Sequence, residues 1–437
     1  MSIQQKDFVY ITKDETLPLP SLEVTNLGDC LFDNIYASPE PFVNGMKLKL
    51  SSLVVNNELI GHEEVELAGP SEKIFYNPFD CKVGIITCGG LCPGLNNVIR
   101  ALVLNLYNRY NVHQIFGLRW GFEGLNPELS NVIKLTPTIV NDIHQKGGSI
   151  LGSSRGEQQI EVMAQFLINN NFNILFTLGG DGTLKASSKL NEELRRRNVP
   201  IAVVGIPKTV DNDICYTDNT FGFNTAVELA QQAINSIHNE AKSAKNGIGI
   251  VRLMGRDAGF IALYASISNG DVNMVLLPEM SISIETICEF VKKRLLLKGH
   301  IVIVLAEGAL QDQKPKDIEL RKDKSGNIIH WNCLDYLKER IKEYLEDNGF
   351  NNHTIKSVDP SYMIRSAPCN ATDAHYCMTL ANAAVHVAMA GKTGVVICHH
   401  HNNYVSIPMN RAIHFIKRVN PNGPLLTMFN SIETNIH

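Results

Sequence analysis

The sequence has no long hydrophobic run and almost no net charge. None of its apolar segments reaches the ~20 residues that a helix needs to span a bilayer. Its 40 lysines and arginines are balanced by 44 aspartates and glutamates, which gives a net charge of −4. Because a chain without a basic excess is not typical of proteins that bind nucleic acid or anionic lipid, we expect neither nucleic acid nor a membrane as a partner.

The sequence also lacks a disulfide framework and the cysteine pairs of a zinc site. Its ten cysteines lie singly among 437 residues, which is typical of a reducing compartment. Cys88 and Cys92 lie close together, as do Cys369 and Cys377, but neither pair has the second pair that a structural zinc site requires. The first residues show no basic segment followed by an apolar one, so we expect no signal peptide and a cytoplasmic protein.

Residues 173–187 combine a strand, a glycine turn and a helix. The apolar run at 174–178 predicts a buried strand of a parallel sheet. The turn GGDGT (179–183) lacks bulky side chains, so it can bring the first amides of the following helix close to an anion. Asp181 lies inside this turn, and a carboxylate among phosphate-binding glycines indicates a Mg²⁺ ion between them. The alternative is a tight turn in which Asp181 only caps the helix.

A second unit of the same kind begins at Lys82. KVGIITC (82–88) predicts a strand, GGLCPGLNN (89–97) a turn and residues 98–110 a helix. Further along, a serine- and glycine-rich loop ends in Arg155, which is suited to fork onto a phosphate. The alternative for Arg155 is a solvated surface arginine.

The segment PKTVDND (207–213) leaves another apolar strand, and its polar residues suit a functional loop. Asp211 and Asp213 are two residues apart, so in an extended chain their side chains face the same side. An Asx-turn is the structural alternative. We expect Asp211 to serve as a base for an acceptor hydroxyl.

Strands and helices alternate from Lys82 onward, which predicts an α/β fold with parallel sheets. We expect two doubly wound, Rossmann-like lobes with a cleft between them, one of about residues 81–215 and one of about 216–437, with chain crossovers. Residues 1–80 are irregular and predict an extension that wraps onto this body. A helix is expected at 138–146, a charged insertion at 312–327 and the last strand at 393–399.

Several basic groups follow the later strands. Arg256 comes after one strand, and Lys356, Tyr362 and Arg365 come together after another, where they would grip a phosphorylated substrate. Phosphoryl transfer needs mainly positioning, charge neutralisation and a carboxylate that orients the acceptor oxygen. The sequence supplies each of these, so we expect a phosphotransferase.

Five segments together resemble the phosphofructokinase family: GGLCPGLNN, GGDGT, PKTVDND, MGRDAGF and AEG, in this order and at these spacings. The resemblance runs from about Lys82 to the C-terminus. AGPSEKIFYNP (68–78) also resembles the ATP-dependent branch of plant and trypanosomatid enzymes, which is related to the pyrophosphate-dependent enzymes. The resemblance implies a nucleotide-binding lobe, a sugar-phosphate-binding lobe and transfer of the γ-phosphoryl group of ATP to the 1-hydroxyl of fructose 6-phosphate in glycolysis.

Residue roles follow from the resemblance at matching positions. Asp211 is implied as the proton acceptor and Asp181 as the Mg²⁺ ligand, with Asp213 assisting through the shell of the metal. The residues implied to bind ATP are Gly90, Arg155, Gly156, Gly180, Asp181, Gly182 and Thr183. The residues implied to bind fructose 6-phosphate are Thr209, Val210, Asp211, Met254, Gly255, Arg256, Glu307, Tyr362, Met363, Ile364 and Arg365.

Two positions bear on the phosphoryl donor. The pyrophosphate-dependent relatives carry a second aspartate after GGD, where it fills space and repels an α-phosphate, whereas this chain has Gly182. Lys208 is typical of pyrophosphate users but also of the plant and trypanosomatid ATP enzymes. Because a steric and electrostatic block is harder to evade than an added lysine, we expect ATP, with pyrophosphate as the alternative.

Two further positions depart from the pattern of the bacterial members of the family. Tyr362 stands where bacterial members have histidine, and Gly247 stands where they have an arginine that reaches across a subunit interface. The family still implies a homodimer or homotetramer and allosteric control. A lipid or NAD kinase shares GGDGT but lacks KTVDND followed by MGR, and a regulatory subunit without activity would have lost Asp181 or Asp211.

Overall fold

A computed structural model of the chain describes residues 7–13, 18–35, 41–43, 45–50, 53–55, 58–60, 63–156, 158–316, 318–319 and 330–432. The strands are β1 (Phe8–Thr12), β2 (Thr25–Asn26), β3 (Phe32–Asp33), β4 (Lys47–Leu50), β5 (Leu53–Val55), β6 (Glu58–Ile60), β7 (Glu63–Leu67), β8 (Lys73–Ile74), β9 (Lys82–Thr87), β10 (Gln114–Leu118), β11 (Val132–Lys134), β12 (Ile174–Gly179), β13 (Ala202–Pro207), β14 (Gly247–Leu253), β15 (Met274–Leu276), β16 (His300–Ala306), β17 (Thr354–Val358), β18 (Lys392–Thr393), β19 (Val395–His400), β20 (Asn403–Pro408) and β21 (Phe415–Val419). The helices are α1 (Leu95–Leu104), α2 (Ile160–Asn169), α3 (Asp181–Arg196), α4 (Phe223–Ser243), α5 (Phe260–Asn269), α6 (Ile284–Lys298), α7 (Cys333–Asp347), α8 (Ser361–Arg365), α9 (Ala371–Met389), α10 (Met409–Ala412) and α11 (Pro424–Ile432). Among them, no helix combines the length and the hydrophobicity that crossing a membrane requires.

The first lobe is built on a nine-stranded sheet in the order β11-β10-β9-β12-β13-β19-β20-β7-β4. Its five central strands, from β10 to β19, run parallel, and helices cover both faces. Strand β12 shows that both faces of the sheet are apolar. Ile174, Phe176 and Leu178 join one apolar cluster with α1 and α9, while Leu175 joins another with α2 and α3. An apolar run of this kind suits a strand that is buried on both sides.

The second lobe is built on a smaller sheet in the order β15-β16-β14-β17, and all three of its pairings are parallel. Val251 and Leu253 of β14 share a cluster with residues of α4 and α5, and Ile248 and Ile250 share one with α6 and α7. The prediction of two doubly wound lobes is therefore confirmed.

The N-terminal part of the chain contributes strands to the body of the protein. Strand β7 pairs with β20 and β4 pairs with β7, so both extend the nine-stranded sheet. Strand β1 pairs antiparallel with β21 and parallel with β5 in a further small sheet. The chain also crosses back between the lobes, because β19 and β20 come late in the sequence and lie in the first sheet.

Two predicted elements differ from the structure, and a third lies mostly outside the described residues. Residues 138–146 form turns and a single 3-10 turn at Ile143–Gln145 instead of a helix, because Asn141 and Asp142 favour turns and the glycines at 147–148 leave too short a segment for a stable helix. The strand predicted at 393–399 is not the last. It continues through a tight turn at His401 and Asn402, both with positive φ, into β20, and β21 follows. Residues 317 and 320–327 of the predicted insertion (312–327) are not described.

Candidate functional site

The carboxyl ends of β9, β12 and β13 bring the predicted phosphate-binding turns together. Strands β9 and β12 are neighbours, and the chain leaves β9 toward β10 on the far side before it returns to β12. The two connections therefore diverge between β9 and β12. In open α/β sheets this divergence opens a crevice in which ligands bind.

Lys208 connects the two glycine turns. Its backbone amide donates to the carbonyl oxygen of Gly179 (3.0 Å), and its ammonium donates to the carbonyl oxygen of Gly90 (2.6 Å). The side chain is buried, and this burial lowers the pKa of the ammonium group, with further lowering from the charges of Arg365 and Arg155. The lysine therefore places a positive charge directly beneath the turns.

Arg155 is exposed and lies beside the first turn. Cys88 and Ser154 form a parallel bridge, and the amide of Gly89 donates to the carbonyl of Ser154 (3.1 Å). A Cβ atom added to Gly90 would lie 3.3 Å from Nη2 of Arg155. The loop that carries Arg155 and Gly156 is thus held against the glycine turn.

Asp181 is the first residue of α3, and Gly180 is its N-cap. The Asp181 side chain is half exposed, and no atom lies within 4 Å of a Cβ built at Gly182. The next position is different: Thr183 is buried and packs so closely on Gly179 that a Cβ there would lie 2.1 Å from its Oγ1. The mouth of the site is therefore open beside Gly182, while its floor is tightly packed.

Asp211 and Asp213 follow β13, and both residues are half-buried. Oδ1 of each carboxylate has no hydrogen-bond partner among the described residues. Burial, and then the charge of Asp213, raise the pKa of Asp211 to about 7. Burial is also the main cause of the raised pKa of Asp213. An acid with such a pKa is suited to exchange protons near neutral pH.

The expectation that both carboxylates lie on one side of an extended chain is wrong. Asn212 between them has a φ of 56°, in the left-handed region that asparagine tolerates. The two side chains consequently meet different neighbours. Asp211 accepts a hydrogen bond from the amide of Arg256 and interacts with the charges of Glu307 and Arg365. Asp213 accepts a hydrogen bond from Thr209 and interacts with the charges of Lys13 and Asp181.

The second lobe meets Asp211 through the turn after β14. The backbone amide of Arg256 donates to Oδ2 of Asp211 (3.3 Å), and Gly255 makes the turn with a φ of 123°. Glu307, at the end of the adjacent β16, is held by its amide, which donates to the carbonyl of Leu253 (2.9 Å). Arg252 supports it from behind, since its guanidinium lies between Glu307 (3.7 Å) and Asp359 (2.6 Å).

Helix α8 carries the last group of predicted residues, and its side chains diverge. Arg365 is half-buried and its charge acts on both Asp211 and Lys208. Tyr362 is 83% exposed and Met363 is 75% exposed, whereas Ile364 is buried in the core, as Met254 is. Side chains of Ile364 and Met254 are therefore not available to a ligand. Residues Thr209 and Val210 line the start of the Asp211 loop.

Lys356 does not join this group, which corrects the expectation that it lies with Arg365. It is located in the middle of β17, where it forms an ion pair with Glu240 of α4. Both side chains are exposed. A lysine within a strand points across the sheet and cannot reach the loops at its end.

Two residues that the sequence did not single out support the site. Lys417 of β21 is buried, donates from its backbone amide to the carbonyl of Asp213 (3.0 Å) and from Nζ to Oδ1 of Asn212 (2.8 Å). Lys13, just after β1, forms an ion pair with Asp181. A buried or site-facing lysine on a short strand has the same sequence pattern as a surface lysine, so no signal identified these residues.

Comparison with known proteins gives a consistent result. The family model described as "Phosphofructokinase" matches residues 82–388. The chain is 70% identical over 435 residues to the ATP-dependent 6-phosphofructokinase of Entamoeba histolytica, with 99% of each chain covered. It is 42% identical to the ATP-dependent 6-phosphofructokinase of Trypanosoma brucei brucei, over 85% of this chain and 76% of that one.

Among solved structures, the pyrophosphate-dependent phosphofructokinase from Marinobacter aquaeolei superposes with a TM-score of 0.67. The match covers 82% of this chain and 92% of that one, at 20% sequence identity. At this identity the similarity establishes the shared fold.

Proposed function

Because this chain belongs to the phosphofructokinase family and is an ATP-dependent 6-phosphofructokinase, we propose that Asp211 is the base that accepts the proton of the 1-hydroxyl of fructose 6-phosphate. The reaction transfers the γ-phosphoryl group of ATP to that hydroxyl and yields fructose 1,6-bisphosphate and ADP, a step of glycolysis. Membership of this family excludes the alternative that the segment GGDGT belongs to a lipid or NAD kinase.

One observation carries the assignment of the base. Asp211 is half-buried, its Oδ1 atom is buried without a hydrogen-bond partner among the described residues, and its Oδ2 is already held by the amide of Arg256. A buried carboxylate oxygen without a partner costs free energy unless a ligand completes it. A substrate hydroxyl would complete it, and the raised pKa of Asp211 suits proton transfer near neutral pH.

The residues around the glycine turns are proposed to bind ATP. Their backbone amides, the N-terminus of α3 and the charges of Arg155 and Lys208 suit a polyphosphate. The open space beside Gly182 leaves room for the α-phosphate and nucleoside. The complete proposed set is Gly90, Arg155, Gly156, Gly180, Asp181, Gly182 and Thr183.

Mg²⁺ fits the residues present. No group of three or more His, Cys, Asp or Glu side chains in the described ranges is arranged to hold a metal ion by itself. Mg²⁺ usually keeps waters and takes one or two carboxylates together with substrate phosphates. Asp181 is the accessible carboxylate beside the turns, so we propose it as the ligand, with Asp213 acting through the metal's shell. The ion would neutralise charge on the transferred group.

The loops of the second lobe are proposed to bind the sugar phosphate. Arg256 and Arg365 supply positive charge near Asp211, and Glu307 is placed to accept from sugar hydroxyls. Tyr362 and Met363 are exposed beside them. The complete proposed set is Thr209, Val210, Asp211, Met254, Gly255, Arg256, Glu307, Tyr362, Met363, Ile364 and Arg365, with Met254 and Ile364 contributing through their backbone.

We propose that residues 81–215 and 216–437 form the nucleotide and sugar-phosphate lobes, with residues 1–80 as an extension. We also propose a cytoplasmic homodimer or homotetramer. The oligomer is what membership of the phosphofructokinase family implies. Gly247 stands where bacterial members have an arginine that reaches across a subunit interface, and glycine has no side chain to do so. Any substrate contact across an interface would therefore come from other residues.

The test is an initial-rate assay with fructose 6-phosphate and Mg²⁺, run first with ATP and then with pyrophosphate. We expect turnover with ATP alone. This result would support Gly182 as the residue that admits the nucleotide and would show that Lys208 is compatible with it. Turnover with pyrophosphate alone would overturn the assignment of the donor while leaving the fold and the acceptor unchanged.

The raised pKa of Asp211 predicts a pH dependence. The carboxylate accepts a proton only when ionised, so activity should be lost as the pH falls through about 7. Well below that value the rate should drop about tenfold per pH unit, as for a single essential base. Initial rates from pH 5.5 to 8.5 with both substrates well below their KM values would measure it, since such rates report the free enzyme.

The substrates require a control, because their own phosphate groups titrate near pH 6. The pH dependence of the residual rate of an Asp211→Asn variant reflects the titration of the substrates and not that of Asp211. The acid limb between about pH 6.5 and 7.5 should therefore disappear in the variant. A wild-type rate that stays constant through this interval would contradict the role of Asp211.

A further inference from the structure

The N-terminal extension delivers a cation to the active site. Strand β1 pairs with β21 from Phe8 opposite Val419 to Thr12 opposite Phe415, and the amide of Lys13 donates to the carbonyl of His414 (3.0 Å). The Lys13 side chain leaves this strand end and forms an ion pair with Asp181. Lys13 lies outside residues 82–388, the part of the chain that the family model matches.

The strand that carries Lys13 is fixed to the Asp211 loop. Tyr10 is buried, and its hydroxyl accepts a hydrogen bond from the amide of Tyr216 (3.0 Å). The Tyr10 ring lies 5.7 Å from the ring of Tyr216 and 6.3 Å from that of Phe415. The partner strand is fixed as well, through the hydrogen bonds of Lys417 to Asp213 and Asn212. Lys13 therefore has a defined position relative to the catalytic loop.

The position of Lys13 is chemically specific. Asp181 stands where the phosphates of the donor and their cation are proposed to meet, and the charge of Lys13 opposes the rise that burial causes in the pKa of the nearby Asp213. The side chain remains 33% exposed and Asp181 50% exposed, so both face the open mouth of the site. Lysine carries its charge on a flexible stem and binds phosphate as a point charge.

We propose that Lys13 is a donor-binding residue of the kinase, which neutralises Asp181 before the substrate arrives and binds the phosphates of ATP once Asp181 takes the metal. Ligand oxygens lie about 2.1 Å from Mg²⁺, so a cation beside the carboxylate is also beside the metal-bound phosphate oxygens. The ammonium group would then offset charge on the phosphates that Arg155 and Lys208 contact from the other side. This inference rests on the proposed function, because it uses the same nucleotide site.

Through Lys13, the N-terminal extension would take part in binding the phosphates of ATP. Removing Lys13 should weaken the binding of ATP, while the sugar site in the second lobe should be affected little. The mechanism differs from that of a residue that only fills the metal site, because such a residue competes with Mg²⁺ and its removal would tighten metal binding.

The test compares Lys13→Met, which removes the charge at similar length, with Lys13→Arg, which keeps it. Lys47→Met is the matched control, since Lys47 also belongs to the extension and forms only an exposed ion pair with Glu64 (3.9 Å). The dissociation constant of ATP in excess Mg²⁺, without fructose 6-phosphate, would be measured by isothermal titration calorimetry. Tm, the affinity for Mg²⁺ alone, and kcat and KM for both substrates would be measured in parallel.

For Lys13→Met we expect the dissociation constant of ATP to rise about 10- to 100-fold, as for the loss of one hydrogen bond to a charged group. Lys13→Arg should restore most of the affinity, and the KM for fructose 6-phosphate should stay within about twofold. Lys47→Met should resemble the wild type. If Lys13→Met lowers Tm, the dissociation constant of ATP is measured for Lys13→Gln instead. This variant also removes the charge but retains a hydrogen-bond donor to Asp181.

The proposal would be overturned by unchanged affinity for ATP in the folded Lys13→Met variant, whether its affinity for Mg²⁺ alone is unchanged or higher. A higher affinity for Mg²⁺ would show that Lys13 only occupies the place of the metal. Neither result touches the activity of the wild type or the effect of Asp211→Asn. A failure of this inference is thus distinct from a failure of the proposed function.

Discussion

Replacing Asp211 with asparagine is expected to lower kcat by about 10²- to 10⁴-fold, the range that a general base contributes. The amide keeps the size of the carboxylate and can still accept the hydrogen bond from the amide of Arg256. It cannot take the proton of the sugar hydroxyl. The binding of fructose 6-phosphate should therefore change little, since the charges of Arg256 and Arg365 remain.

The measurement is kcat and KM with ATP and Mg²⁺, together with direct calorimetric binding of fructose 6-phosphate. The variant should also have a higher Tm at neutral pH, because it removes a buried carboxylate whose ionisation costs free energy in the folded protein. A kcat within tenfold of the wild type would show that another group accepts the proton. A lower Tm would mean that the loss of activity has a structural cause.

Replacing Gly182 with aspartate is expected to lower kcat/KM for ATP by about 10²- to 10³-fold, since placing like charges together costs several kcal/mol. The fold should tolerate the change. No atom lies within 4 Å of a Cβ at this position, and an acidic residue in the first turn of α3 interacts favourably with the helix dipole. The new carboxylate would meet the α-phosphate of ATP in the open part of the site.

Gly182→Asn is the matched control, because asparagine has the volume of aspartate without its charge. We expect it to keep kcat/KM for ATP within about tenfold of the wild type, the cost of a modest steric conflict. Pyrophosphate has no third phosphate group, so the preference for ATP over pyrophosphate should fall in parallel for Gly182→Asp. Equal losses for both variants would show that space, and not charge, decides the choice of donor.

Most of the fold and the core of the site could be predicted because they depend on local patterns. Strands β9, β12 and β13 are apolar runs, and the glycines that follow β9 and β12 predict turns that are able to bind phosphate. The parallel arrangement then requires these loops to meet at one edge of a sheet. The proximity of Gly90, Arg155 and Lys208 follows from this geometry.

The parts that could not be predicted depend on contacts between distant segments. Lys13 follows the short strand β1 (FVYIT) and Lys417 lies within the short strand β21 (FIKRV), and neither local sequence shows which distant strand it pairs with. Only the pairing of β1 with β21 brings them to Asp181 and Asp213. Asn212 was missed for a different reason: its left-handed conformation is imposed by the loop and turns the two carboxylates toward different neighbours.

The same pairing has a consequence for protein synthesis. Residues 8–12 leave the ribosome early and residues 415–419 late, so β1 has no partner strand β21 through most of translation. Lys417, which holds the carbonyl of Asp213 and the side chain of Asn212, also arrives late. Contacts between segments so distant in sequence form slowly and after more local structure. We therefore expect the nascent chain to fold much of its second lobe before release and to phosphorylate no sugar until its last segment has emerged.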